Sequence, residues 1–539
     1  MHDLIHDLSI SVGGKFFHSL EVGNGNKIPK TTRHLSCDVA NVDVALSTVE
    51  KESLRALVVK NMNSSQQMTE THINTLMLSK CLRVLSIRGF TNLEELPDSI
   101  GELIHLRYLD LSSTNIERLP ESLCKLHNLQ TLKLEHCQFL TLLPNSMQDL
   151  VNLRHLDVSG TSLREMPKGI GKLKNLQFLS DFVISKNEGA KIEEIGGLPS
   201  LCKYLGIWNL ESVSKSNEAL EAKMMHKNRL ETLMFKWTRD EDTINSQNEG
   251  DILDKLQPHS NLKRLTIDGY RGTRFPDWLD HSSYHNMVYL RLLDCKNCCM
   301  LPSLGQLPSL KELIIQGLDS MVSIGPEFYK TLDSSSETLT PFASLESLEF
   351  RFMYSWENWS SQGMEAFPKL QRLRMYFCCE LTGDLPKSQQ HLALEVDQCP
   401  ALLNRCIPES VEDLTIKYSC ECDSLPSFSS DTFSNLKHLK IIGEYGGVKC
   451  FPEDGLLTAS LNSLELDDFS CLETLDCEVF RSMTSLEQVT IKRCPMLDKM
   501  TVERLAASVR SHIKIEACDL IQAEEVPHLT NVHVSPYYV

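Results

Sequence analysis

Residues 106–158, LRYLDLSSTNIERLPESLCKLHNLQTLKLEHCQFLTLLPNSMQDLVNLRHLDV, hold three copies of one phrase, L-x-x-L-x-L, starting at Leu106, Leu129 and Leu153. Working outward, the same phrase starts at Leu82 and Leu176, so successive copies lie 23 or 24 residues apart. A looser block follows at Leu230, Leu262, Met287, Leu310, Leu345 and Leu370. The pattern blurs around Leu392 and Val411, then resumes at Leu436, Leu461 and Leu486, at intervals of 25. A single match to so short a pattern is common. A register kept over hundreds of residues is not, and it overrides any domain count taken from the length of 539 residues.

Each copy has a legible physics. In LRYLDL, Leu109 and Leu111 are two apart, so a strand turns both to one face and Tyr108, Asp110 and Ser112 to the other. A second apolar set, Ile116, Leu119, Leu123 and Leu126, surrounds Pro120, which ends strand pairing and sends the chain back through turns or short helical pieces. One repeat cannot bury its own leucines, but stacked neighbours can. The pattern therefore predicts an α/β leucine-rich-repeat solenoid. It would be a curved horseshoe with a parallel sheet on the concave face and turns or short helices on the convex face. Three residues past the last strand leucine stand Cys137, Cys295, Cys378, Cys399, Cys494 and Cys518, where such repeats place an inward Asn or Cys. These thiols are expected to be buried and reduced.

The rhythm divides the chain. Regular repeats occupy 51–180, an irregular middle segment 181–230, a second, less regular block 231–519, and a tail or capping extension 520–539. Polar insertions at 238–251 and 325–341 read as surface loops. The net charge of −18 makes a nucleic-acid binder a poor match, because phosphate neutralisation needs a basic surface. No apolar run is long enough to cross a bilayer, and the start, MHDLIHDLSISVGGK, does not read as a secretory signal.

No phosphate-binding G-x-x-x-x-G-K-[ST] and no G-x-S-x-G occurs, so no catalytic set can be singled out and a binding protein rather than an enzyme is expected. His281, His285, Cys295 and Cys298 have zinc-like spacing, but strand residues separate the histidines from Cys295, which holds the inward position. The expectation is structural cysteines beside loop histidines, with no metal. On the concave face the central repeats carry Tyr289, Arg291, Arg351, Arg372, Arg374 and Tyr376, a local basic and aromatic patch of the composition favoured at interface hot spots. These six are the candidate partner-binding residues. Trp356 and Trp359 could extend the patch, although anchoring of the inserted loop is the favoured role.

The stretch from Leu96 to Val183 closely resembles the repeat domain of plant intracellular immune receptors of the coiled-coil, nucleotide-binding, leucine-rich-repeat type. Its phrases L-x-x-L-P-x-S-I-G and L-D-L-S-x-T are those of cytoplasmic plant repeats, without the L-x-G-x-I-P of extracellular ones. Met1-His2-Asp3 resembles the Met-His-Asp motif that closes the nucleotide-binding module of these receptors. By that resemblance, 1–50 would hold the remnant of the module's winged-helix end plus a cap, with His2 and Asp3 as nucleotide-switch residues. The resemblance implies a cytoplasmic recognition and autoinhibitory region, binding a pathogen effector or a guarded host protein and holding the nucleotide-binding module in cis. The phosphate-binding loop is absent, so no cofactor is expected in this chain; ADP or ATP would belong to a full-length receptor. The rival expectation is a stand-alone scaffold that binds a host signalling protein without a nucleotide switch.

Overall fold

In the computed structural model, strands and short helices alternate as the repeat predicts. It describes residues 16–20, 28–61, 67–238, 246–329, 340–360, 366–382, 385–386, 391–403, 408, 410–417, 435–443, 447–452, 457, 459–518, 520 and 530–535. The chain divides into two units, one of Met1–Thr243 with Asp251–Leu262, the other of Ile244–Gly250 with Lys263–Val539.

In the first unit, eight parallel strands run from Phe17–Leu20 to Phe178–Leu179. Rung pairing stacks Leu85, Leu109, Leu132 and Leu156 into one column, each fully buried. At roughly 25 cal/mol per Å² of apolar area removed from water, columns of this kind supply the stability that no single repeat has. Between strands the chain returns through 3-10 helices at Asp98–Glu102 and Glu121–Lys125, entered from Pro97 and Pro120, which bury Ile100 and Leu123. The glycine of the S-I-G phrase has a steric reason. A Cβ on Gly101 would stand 2.5 Å from the carbonyl oxygen of Ser122 in the next repeat.

Polar groups clip the rungs together. The side-chain amides of Asn128, Asn152 and Asn175 each donate to a carbonyl of the preceding repeat, on Ile104, His127 and Val151, at 2.7–3.0 Å. Asp110 and Ser112 were expected on the open face; they are on that side, yet buried. The Asp110 carboxylate accepts from Ser112 N–H at 3.1 Å and from its hydroxyl at 2.7 Å, and Asp157 with Ser159 repeats the device at 3.2 and 2.7 Å. An Asp followed by Ser two residues on makes a local turn lock, which is why L-D-L-S recurs. The residue after that Ser takes a left-handed backbone, as at Ser113 (φ 58°) and Gly160 (φ 69°).

Parallel pairing begins earlier than the leucine phrase does: Phe17–Leu20 pairs with His34–Asp38, and that strand with Ala56–Lys60. His18 and Leu20 hold the inward positions in the first of these. In the middle segment, Asp181–Val183, Lys203–Trp208 and Leu230–Lys236 pair in parallel, and Ser216–Glu221 is a short helix. The end of the expected loop 238–251 is also helical, in Ser246–Lys255. Lys227, only 4% exposed, donates its amine to the carbonyls of Ile195 and Leu198 at 2.8 and 2.9 Å, and burial pulls its pKa down to about 8.

The second unit repeats the plan in twelve described parallel strands, from Arg264–Asp268 to Val532–Ser535. The last of these lies within 520–539 and pairs with His512–Glu516. Second and fourth positions face the core, as with Leu290 and Leu292 or Leu348 and Phe350, all fully buried. Behind the Ser347–Arg351 strand the core is aromatic. Trp356 is fully buried and Trp359 3% exposed; their indole N–H groups donate to the Asn358 carbonyl and the Tyr329 hydroxyl, both at 2.9 Å. Both tryptophans therefore anchor the loop from inside and do not extend the binding face. All six cysteines of the inward position are buried free thiols. Cys137 shows the role, donating to the Leu111 carbonyl of the previous repeat at 3.1 Å.

Candidate functional site

First, third and fifth strand positions form three columns on the open face of the second sheet. Register places Arg264, Tyr289, Glu312, Ser347 and Arg372 in the first column, and Thr266, Arg291, Ile314, Glu349, Arg374 and Glu395 in the third. The fifth holds Asp268, Leu293, Gln316, Arg351, Tyr376 and Asp397. The six residues singled out from sequence thus share one face, on three strands, with the Glu312–Gln316 strand between Arg291 and Arg351.

Their charge differs from the expected basic patch. Arg351 is paired with Glu349, a carboxylate only 5% exposed, and Arg374 lies 3.5 Å from Glu349 and 3.2 Å from Glu395. The alternation Glu349, Arg374, Glu395 along one column closes these charges on themselves, so the centre of the face is close to neutral. Further along, Lys440 and Lys492 flank Glu465 at 2.8 and 3.1 Å, the same solution repeated. The partly exposed pairs, Arg374–Glu395 and Lys440–Glu465, contribute little to stability individually, about 0–1 kcal/mol, but they remove net field from the surface. Burial, then the Glu395 carboxylate, raises the Tyr376 phenol well above its ordinary pKa, so it remains a hydroxyl.

Arg291 is the exception. Its register neighbours are Thr266 and Ile314, and its Nε is buried with no hydrogen-bond partner among the described residues. Beside it, the Arg264 guanidinium lies 3.9 Å from the centroid of the Tyr289 ring, a cation–π contact that sequence reading did not include. Arg372 is exposed at the first column.

Just past the fifth position, at the left-handed residue that follows most described strands of this sheet, the sequence reading also missed two phenylalanines. Neighbouring rungs place Gly269, Asp294, Gly317 and Gln398 there, whereas adjacent rungs at the centre place Phe352 (φ 52°) and Phe377 (φ 56°). A bulky side chain in this backbone region costs on the order of 1 kcal/mol. Their rings stack at 5.0 Å, inclined by 23°, and both are half-buried. Tyr354, 52% exposed, adds a third ring 6.2 Å from Phe352. Aligning the repeats rung by rung and reading one residue beyond the strand would have exposed both.

The zinc-spaced residues have other partners. The Cys295 thiol donates to the Leu293 carbonyl at 3.3 Å and Cys298 to that of Gly272 at 3.1 Å, while His281 Nδ1 pairs with the Ser283 hydroxyl at 2.9 Å. Burial raises both thiols well above their ordinary pKa. Among the described residues no group of three or more His, Cys, Asp and Glu side chains is placed to hold a metal, and no helix is long and apolar enough to cross a membrane. His2 and Asp3 lie outside the described residues.

Comparison with known proteins supports the reading of the repeats. Residues 192–318 match the family of R13L1/DRL21 leucine-rich repeats, and 80–139 match the leucine-rich-repeat family. Disease resistance RPP13-like protein 1 of Arabidopsis thaliana is 36% identical over 536 residues, covering 92% of this chain and 49% of that protein. Disease resistance protein RGA2 of Solanum bulbocastanum is 34% identical over 448 residues, covering 82% of this chain and 41% of that protein. The chain thus spans about half the length or less of these relatives. Among solved structures, a leucine-rich-repeat protein of Leptospira interrogans matches with a TM-score of 0.33 at 18% identity, over 86% of this chain and 90% of that one. With the repeat architecture and these relatives together, the chain belongs with the leucine-rich-repeat regions of plant NB-LRR disease-resistance proteins.

Proposed function

We propose that this chain is the recognition and autoinhibitory region of a plant intracellular immune receptor, acting in the cytoplasm by binding protein partners rather than by catalysis. The partner would be a pathogen effector or a host protein modified by one, seated on the open face of the second sheet. The observation that carries this reading is the relationship to disease-resistance proteins over 92% of the chain. The open face supports it with a half-buried aromatic and arginine surface whose local charges are largely internally paired. Release of a nucleotide-binding module would be a shift between two assemblies, driven by the partner's differential affinity for them. Met-His-Asp at residues 1–3 is the feature that favours a receptor over a stand-alone scaffold, and His2 and Asp3 would serve the module's nucleotide site.

Reversing Arg351 or Arg374 would disturb Glu349 and Glu395 as well as any partner. Arg291→Glu with Arg372→Glu is therefore the cleaner test, made in the receptor that carries this chain. The expected result in leaf tissue is loss of the pathogen-triggered cell-death response, or cell death without a pathogen, at unchanged receptor abundance. A normal resting state together with a normal response would remove this face from the account.

A further inference from the structure

The strand-entry edge of the first sheet has a charge pattern that its own packing does not balance. Five residues lead into each of the strands that begin at Val84, Tyr108, Thr131, His155 and Phe178, and they read SKCLR, LIHLR, LHNLQ, LVNLR and LKNLQ. In a chain of net charge −18 these segments hold Lys80, Arg83, Arg107, Arg154 and Lys174 and not one carboxylate. Lys80 is paired with Glu102. Among the described residues, Arg83, Arg107, Arg154 and Lys174 are exposed and have no carboxylate within ion-pair distance. The second unit treats this position differently: Lys311 pairs with Glu346 at 2.8 Å, and Lys437 with Glu412 at 2.7 Å. Cations stacked on neighbouring rungs without a counter-charge repel one another, so the fold by itself gives no reason for them.

Backbone bonds keep these residues in line. The Arg107 N–H donates to the Arg83 carbonyl, Gln130 to Arg107, and Arg154 to Gln130, each at 2.8 Å. With rungs ~4.8 Å apart, the row from Arg83 to Arg154 spans ~14 Å. Ile104 and Val151, each three residues before an arginine, are 54% exposed, and their carbonyls accept the clips from Asn128 and Asn175. The edge is therefore a fixed row of guanidinium groups beside aliphatic side chains. Matching positions on stacked rungs lie along one edge of a solenoid, where they can meet a flat surface together.

We propose that this edge binds the surface of a membrane rich in anionic phospholipid. Arg83, Arg107 and Arg154 would lie at the headgroup phosphates, with Ile104 and Val151 entering the boundary of the acyl chains. A guanidinium takes phosphate oxygens through paired N–H bonds, and each cation near an anionic bilayer strengthens binding roughly fivefold. The aliphatic side chains add an attraction that salt does not screen. The contact is peripheral and uses no residue of the open face of the second sheet, so it goes beyond the protein-recognition reading above.

The test is co-sedimentation of the full chain with vesicles of phosphatidylcholine, either alone or with about one quarter phosphatidylserine. The expected result is binding to the mixed vesicles only. It should weaken about tenfold or more when Arg83→Gln, Arg107→Gln and Arg154→Gln are combined, and several-fold in Ile104→Ser with Val151→Ser. Arg118→Gln with Arg164→Gln and Lys168→Gln removes the same charge from exposed residues elsewhere on the first unit, and should bind as the parent does. Every replaced side chain is exposed, so all variants should keep the parent's unfolding midpoint. Failure of the parent to sediment, equal binding to both vesicles, or parental binding by the arginine variant would each overturn the proposal. Equal loss in the control variant would reduce the effect to net charge and also overturn it, as would a lowered midpoint in the arginine variant, which would make the row structural. Poly-glutamate that displaces the vesicles and needs the same arginines would assign the row to an acidic protein and overturn the lipid reading.

Discussion

Leu109→Asp is expected to abolish cooperative unfolding of the first sheet, with a drop of more than 5 kcal/mol in stability, on the order of the whole margin of a typical domain. Leu109 is fully buried and stands in one column between Leu85 and Leu132. Truncating such a leucine to alanine costs about 3 kcal/mol through lost burial and the cavity left behind. Aspartate adds the cost of placing a carboxyl in that cavity, several kcal/mol even after it takes up a proton. Because repeats are stabilised by their immediate neighbours, no distant part of the array can compensate. The matched control is Leu142→Asp, at a leucine 50% exposed, which should shift stability by about 0.5 kcal/mol or less. Urea unfolding followed by circular dichroism measures both. An unchanged midpoint for Leu109→Asp would contradict the rung register.

The second large effect is expected at Trp356. Its ring centroid lies 4.6 Å from that of Phe350 and 5.3 Å from that of Trp359, and it is fully buried. Phe350 is the fourth residue of the strand whose fifth is Arg351, with Phe352 just beyond. A cavity left by Trp356→Ala would therefore open directly behind the candidate face, at a cost of about 3–5 kcal/mol. The same variant should lose near-ultraviolet circular dichroism from the aromatic cluster and bind partners poorly. Trp356→Phe, which keeps most of the volume, should retain more than half of that stability. Equal midpoints for the parent and the alanine variant would place Trp356 outside the core.

The repeats between Leu82 and Leu176 could be read from sequence because leucine spacing alone defines their strands and return turns. Phe17–Leu20 could not, since His18 and Leu20 fill the inward positions without the leucine phrase. Turn locks such as Asp110 with Ser112 look like ordinary surface polar residues until their hydrogen bonds are seen. At the candidate face, sequence alternation correctly placed Arg291, Arg351 and Arg374 on one side of the sheet. It misjudged their charge because it passed over Glu349, two residues from Arg351 on the same strand, and because Glu349 and Glu395, 25 and 21 residues from Arg374 along the chain, become neighbours of Arg374 only through rung pairing. Phe352 and Phe377 were hidden for a different reason. Backbone handedness at the end of a strand is not a property of periodicity, and neither residue belongs to the repeated leucine phrase.

The central claim, that a protein partner sits on the open face of the second sheet, is tested most directly by site-specific photo-cross-linking. A benzophenone amino acid would replace Tyr376 on that face, and in a separate chain Asn152, whose amide clips repeats together on the return side of the first unit. Both receptors would be irradiated in leaf tissue before and after pathogen challenge. The account predicts a covalent protein adduct from position 376 that changes on challenge, and none from position 152. Adducts from position 152 alone, or the same adducts from both positions, would contradict it.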